Sequence, residues 1–260
     1  MRCERGDLRQ PEPELHQTGS DGRVDLERGV HELRMLQHFG MTPSSDILDV
    51  GCGIGRLAYE CASYLDDDAT YAGLDIAPVP IDWLNTHYAP RLPGFRFDLL
   101  DVHSERYRPD AGVRPETVRL PYDDDSFDVA CAYEVFMHVS LKGIANYLYE
   151  IARVLRPGGL AVLTLVAIYP GEPTLENRSR PYVEISPGVH TIFPRKKNMS
   201  MAYDIGVFRS MLADAGLNEV ELIQGNMHIP IAERPGHGPG GGPIPELSHA
   251  CDLFAVRTSP

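Results

Sequence analysis

The chain has 260 residues, 43% of them hydrophobic and 23% charged, which is enough for a sizeable folded core without metal or disulfide staples. Its 37 acidic and 24 basic residues leave a net charge of −13, which argues against nucleic acid or an anionic membrane as partner. Five cysteines without a C-x-x-C pair indicate neither zinc nor a disulfide framework, no signal-peptide core follows Met1, and the longest apolar run, Leu160 to Tyr169, is too short to span a bilayer, so a cytoplasmic, soluble protein is expected.

Residues 1–24 carry prolines and charges without periodicity and are expected to be a flexible segment ahead of a single domain over 25–260. From Asp25 to Phe39, apolar residues recur at Leu26, Val30, Leu33, Leu36 and Phe39, a helical period. Asp46-Ile47-Leu48-Asp49-Val50 reads as a buried parallel strand. Gly51, Gly53 and Gly55 follow at alternate positions, and Leu57 to Ala62 then reads as a helix. Glycines there permit positive φ and let a ligand lie against the main chain, and the helix start behind them offers unpaired N–H groups. Asp75 ends the next apolar stretch, Tyr71 to Leu74, 20 residues beyond Gly55, where a carboxylate can accept both hydroxyls of a ribose. The dinucleotide fingerprint is G-x-G-x-x-G, whereas this loop is Gly51-x-Gly53-x-Gly55 with Asp49 just before it. That acid would repel a pyrophosphate but attract an ammonium group, directly or through water. A ligand with a ribose, a carboxylate and an amine fits the loop better than NAD.

Further along, Ile81 to His87 reads as a helix, Phe95 to Leu100 as a third strand, and Phe127 to Tyr133 as a fourth. Ile144 to Val154 reads as a helix stopped by Pro157-Gly158-Gly159, and Ala161 to Ala167 as a fifth strand. The stretch of about 169–202 has no clear period and holds five prolines; it is read as a substrate-covering insertion at the carboxyl edge of the sheet. Ile205 to Ala215 is a predicted helix, and Val220 to Gln224 and Cys251 to Val256 are predicted strands. Between those strands, the Gly/Pro-rich stretch Pro235 to Pro243 reads as a flexible connection, not a phosphate cradle.

On these residues the chain resembles the class I S-adenosylmethionine-dependent methyltransferases. Four blocks carry the resemblance over roughly residues 46–168: Asp46 to Arg56, Leu120 to Val129, Glu134 to Val139, and Arg153 to Leu160. The long stretch between Asp101-Val102 and Leu120-Pro121 is similar to a bacterial subgroup acting on glycans or small natural products. The resemblance implies an α/β fold, a doubly wound seven-stranded Rossmann-like sheet with its last strand antiparallel. It implies S-adenosyl-L-methionine as cofactor, with Asp49 toward its amine and Gly51, Cys52, Gly53 and Gly55 along its methionyl part. Asp75 and Ile76 would meet the ribose, and Asp101 and Val102 the adenine edge, with the backbone near Val118-Arg119 as the alternative. Tyr133 and Glu134 would border the cofactor, and the first helix would pack beside it.

The implied activity is methyl transfer to a small polar acceptor, favouring a hydroxyl oxygen of a sugar or natural product. N- or carboxyl-methylation stays open, as does a protein that binds the cofactor without transfer, either a cyclase or a noncatalytic subunit. Oxygen nucleophiles want a base, and His138 after the fourth strand is the first candidate. His190 and His228 are its rivals, and with Tyr169 they are candidates to touch substrate. Arg195-Lys196-Lys197 is either an acidic-substrate grip or a solvated run. Asp123-Asp124-Asp125 reads as a charged turn, and no metal is assigned. The expected partner is a small-molecule substrate, with a homodimer as a possible assembly.

Overall fold

A computed structural model describes residues 8–11, 15, 26–171, 175–177, 180–196, 198–225 and 251–260. In chain order it contains α1 (Leu26–His38), β1 (Ile47–Val50), α2 (Arg56–Tyr64), β2 (Tyr71–Asp75), α3 (Pro78–His87), β3 (Phe95–Leu99), β4 (Phe127–Ala132), α4 (Leu141–Val154) and β5 (Leu155–Leu165). Six short strands follow: β6 (Ala167–Ile168), β7 (Glu176–Asn177), β8 (Arg180–Pro181), β9 (Val183–Ser186), β10 (Val189–Thr191) and β11 (Met201–Asp204). Then come α5 (Ile205–Asp214), β12 (Leu217–Ile223) and β13 (Asp252–Thr258).

Seven strands form one sheet in the order β12-β13-β5-β4-β1-β2-β3. β1 to β5 run parallel, while β13 is antiparallel to both β5 and β12. The chain order reverses where β1 lies between β2 and β4, and in such sheets ligands bind at the carboxyl ends beside that switch. Side chains of β1 alternate between two cores, as the period of a strand requires. Leu48 and Val50 join α4 and α5, with Tyr147, Ile151 and Phe208. Ile47 joins α1, α2 and α3, with Met35, Leu57 and Leu84.

Four elements depart from the sequence reading. The buried face of α1 is Gly29, Glu32, Met35, Leu36 and Phe39, with Val30 and Leu33 only half-buried. The helix is turned because Gly29 lets it approach the start of α2: a Cβ there would stand 2.5 Å from the Arg56 carbonyl oxygen. α3 begins at Pro78, not Ile81, since a proline in the first turn forfeits no hydrogen bond. Pro157-Gly158-Gly159 lies inside β5, because α4 passes directly into a strand at the extended Leu155. The unpatterned 169–202 stretch contains a hairpin of β7 and β8 and contributes to a four-stranded sheet, β6-β11-β10-β9. Its strands are two to four residues long, too short to print a period on the sequence.

Residues 1–7, 12–14 and 16–24 of the expected flexible segment, Asp25, His228, Lys197 and the Gly/Pro stretch at 235–243 lie outside the described residues. Leu8, within that segment, is buried in the core cluster that includes Met35 and Phe39. Among the described residues no helix is long and apolar enough to cross a membrane.

Candidate active site

The loop after β1 is pinned to the end of β2: the backbone N–H groups of Gly51 and Cys52 donate to the Leu74 carbonyl at 2.7 and 3.0 Å. Gly51, Gly53 and Gly55 all take positive φ, the left-handed region that favours glycine. Their surroundings differ. A Cβ on Gly51 would meet Val135 at 2.4 Å, and one on Gly55 would meet Leu84 at 2.6 Å, so these two are glycines because the protein packs against them. Gly53 has no heavy atom within 4 Å of that position. It is the glycine that faces open space. Cys52 turns its sulfur inward toward Gly73, and burial raises its thiol pKa well above the usual value.

Asp75 accepts from the Gly53 N–H at 2.9 Å and from the Ala77 N–H at 2.8 Å. Burial pushes its carboxyl above the usual range, and those donors pull it back. Ile76 packs against the α4–α5 core. Asp49 is 4% exposed, and its carboxylate accepts from the Tyr71 hydroxyl and, at 3.6 Å, from the Cys131 thiol. Its burial favours a field or water-mediated interaction with an amine over a direct contact. Burial raises its pKa to about 6.

Above it stands an ion-pair chain that the sequence did not reveal. Arg56, the first residue of α2, pairs with Glu32 of α1 at 2.6 Å and with Glu134 at 3.4 Å, and Arg28 reaches Glu134 at 3.2 Å. Burial, reinforced by Asp49 and Glu134, raises Glu32 to about 7 despite Arg56. Glu134 follows β4 with φ +59, a strained value for a side-chain-bearing residue, and its N–H donates to Thr164 at 2.7 Å. Tyr133 is buried, its hydroxyl donating to the Glu32 carbonyl at 3.2 Å. The one signal for this cluster was Glu32 at helical spacing among apolar residues. Its partner could not be named without the α1–α2 crossing.

His138 ends a single 3-10 turn, Phe136–His138. Its Nδ1 is buried without a hydrogen-bond partner, and the ring contacts the backbone of Asn198. Burial, with Arg106 nearby, lowers its pKa to about 4, so the ring is neutral at neutral pH. Tyr107, from the stretch between β3 and β4, stands edge-on to His138 with ring centroids 5.5 Å apart. Asp101 is exposed and pairs with Arg108 at 3.0 Å, and Val102 is buried and bridges Val113.

His190, Tyr169 and the aspartate triplet have partners of their own. His190 pairs with Asp204 at 2.8 Å inside the small sheet. Tyr169 donates to the buried Asp252 at 3.3 Å and lines, with Ile168, Ile205 and Val207, a cavity of about 390 Å³. Another cavity, of about 360 Å³, lies at the opposite, amino-terminal edge, where Arg156 is held by Asp46 and Asp128 and Arg257 by carbonyl oxygens. The Asp123–Asp125 triplet is a turn in which Asp124 pairs with Arg153 at 2.7 Å.

These surroundings fit a ligand with a ribose, an amine, a sulfonium and a carboxylate. Gly53 leaves room over the loop, and Asp75 is a hydroxyl acceptor beside it. Glu32, Asp49 and Glu134 set a negative field for two positive centres, and Arg28 and Arg56 offer guanidinium N–H groups to a carboxylate.

Residues 48–163 match the methyltransferase-domain family. Sterol 24-C-methyltransferase ERG6B of Gibberella zeae is 28% identical over 167 residues, which are 63% of this chain and 39% of that protein. The 27-O-demethylrifamycin SV methyltransferase of Amycolatopsis mediterranei is 29% identical over 176 residues, 67% of this chain and 58% of that one. The match spans well under half the length of the sterol relatives, 39% of one and 30% of another. In three dimensions, the S-adenosylmethionine-dependent methyltransferase of Mesorhizobium loti superimposes with a TM-score of 0.56 at 18% identity, over 89% of this chain and 99% of that one. Over residues 48–163 the chain carries a methyltransferase domain, its fold is that of solved S-adenosylmethionine-dependent methyltransferases, and S-adenosylmethionine is the cofactor these matches point to.

Proposed function

We propose that the chain transfers a methyl group to a hydroxyl oxygen of a small polar molecule, a sugar or natural product. The observation that carries this reading is a neutral imidazole with an unpartnered Nδ1, His138, on the same sheet edge as the Gly53 opening and Asp75. The likeness to a rifamycin methyltransferase supports the acceptor class.

Bound S-adenosylmethionine supplies a methyl group already activated on a sulfonium, so the chain's task is to position groups and exclude water. Asp75 accepts the ribose hydroxyls, the buried carboxylates hold the amine end by their field, and Arg28 and Arg56 hold the carboxylate. Asp101 or the backbone near Val118 meets the adenine. The small sheet formed by residues 167–204 covers the acceptor. His138 takes the acceptor's hydroxyl proton at Nδ1. With a pKa of about 4 it is a weak base, but one that is unprotonated throughout the neutral range. Nδ1 is buried, so acceptor entry requires a local opening beside it.

The test is formation of S-adenosylhomocysteine from S-adenosylmethionine with a panel of hydroxylated acceptors. His138→Ala should lower turnover roughly 100-fold or more, as loss of general-base catalysis does, while calorimetric affinity for S-adenosylhomocysteine stays unchanged. Equal turnover at saturating acceptor would make His138 structural.

A further inference from the structure

Several cationic side chains of this chain are neutralised by carboxylates. Arg153, Arg156 and Arg209 each have a carboxylate oxygen at 2.7–2.8 Å. Arg106, Arg180 and Lys196 are exposed, and none has a carboxylate partner among the described residues.

All three instead stand over aromatic rings on the two segments that converge on His138. The Arg106 guanidinium lies 4.8 Å from the centroid of Tyr107, whose ring meets His138. Arg180 and Lys196 lie 5.2 and 5.9 Å from the centroid of Phe193. Phe193 packs with Met137, the neighbour of His138, against the core of the small sheet. Lys196 is held there by a turn, its N–H donating to the Phe193 carbonyl at 2.8 Å, and Asn198 two residues on contacts His138. Aromatic faces hold the cations in place without cancelling their charge, so their donors stay available to an anion.

We infer that Arg106 and the Arg180–Phe193–Lys196 cluster form an anion subsite of the acceptor site, so that the acceptor carries a phosphate, sulfate or carboxylate group near the hydroxyl it presents. The inference rests on the methyl-transfer reading for its purpose, and on the cation geometry for its existence. A locally positive mouth on a chain of net charge −13 would also select such acceptors from solution by steering.

The experiment is calorimetric titration of sodium pyrophosphate into the full chain at low ionic strength, with and without S-adenosylhomocysteine. Saturable binding is expected, weakened about tenfold or more in the double variant Arg180→Gln/Lys196→Gln and also weakened in Arg106→Gln. Melting temperature and S-adenosylhomocysteine affinity should not change, since all three residues are exposed and outside the glycine-loop cluster. With a turned-over acceptor bearing an anionic group, the double variant should raise KM while kcat stays near the parent value, and a neutral isostere should show no such change. Absence of saturable pyrophosphate binding would overturn the inference, as would equal binding by parent and variants, which would put the anion elsewhere, such as beside Arg156 and Arg257. Failure of the methyl-transfer reading would show separately, as no S-adenosylhomocysteine formed although pyrophosphate binding depends on these residues.

Discussion

The three loop glycines look equivalent in sequence, yet each meets a different neighbour, and that separates their expected phenotypes. Gly51→Ala drives a methyl group into Val135, so its main effect should be lost stability, about 1–3 kcal/mol by the overpacking range plus left-handed backbone strain, read by urea unfolding. Gly53→Ala carries only the backbone term, about 1–2 kcal/mol, but its methyl occupies the open face. S-adenosylmethionine affinity should therefore fall far more than stability does. If calorimetry finds affinity intact in a folded Gly53→Ala protein, the cofactor does not lie over that face. Asp75→Ala should weaken the same affinity by about 1–3 kcal/mol through lost charge-assisted hydrogen bonds, and unchanged affinity would remove Asp75 from the ribose role.

At the scale of an element, α1 buries an acid, Glu32, beside its apolar residues Met35 and Leu36. Glu32 has a raised pKa, from 4.5 to about 7, so the folded state holds its proton more tightly than the unfolded chain. Its contribution to stability is full below pH 4.5 and is lost as pH rises through about 7. Asp49 acts in the same direction between 3.8 and about 6. His138 opposes them, since its lowered pKa adds stability as pH rises from about 4 toward 6.5. Glu32→Gln removes the first contribution alone, so the variant should gain stability relative to the parent between pH 4.5 and about 7. Urea melts at stepped pH measure that difference, and a difference independent of pH would mean that Glu32 is not held protonated. The helix itself was legible from its period, but the buried face was not. Leu33 and Val30 look like better core residues than Glu32 until Gly29 and Arg56 are seen to touch.

Across the whole molecule, the seven-stranded sheet and the small sheet are joined through Asp252, at the start of β13. This 1%-exposed carboxylate accepts from the Ala167 and Gly225 N–H groups at 2.8 and 3.0 Å and from Tyr169. Asp252→Ala strands two buried N–H groups, and should lower unfolding free energy by about 2–5 kcal/mol in urea. Binding of S-adenosylhomocysteine should survive at temperatures where the variant is folded, because the glycine loop sits on β1 and β2, away from that junction. A parallel loss of both would tie the small sheet to cofactor binding itself.

The antiparallel last strand was implied by the family resemblance, whereas the sequence alone determined the strand–loop–helix unit, the acid that ends β2 and the parallel core strands. Each depends on interactions near in the chain: apolar runs of strand length, glycines where φ must be positive, and an acid at the end of a strand. Tertiary structure alone decided which glycine faces open space, which face of α1 is buried, and what surrounds His138. Val135 and Leu84 are 84 and 29 residues from the glycines they press on, and Arg56 lies 24 from Glu32 and 78 from Glu134. The loops that carry Tyr107, Phe193 and Lys196 have no periodic pattern to predict their path. They acquire a place because the carboxyl edge of the sheet brings them to His138, and their chemistry exists only in that meeting.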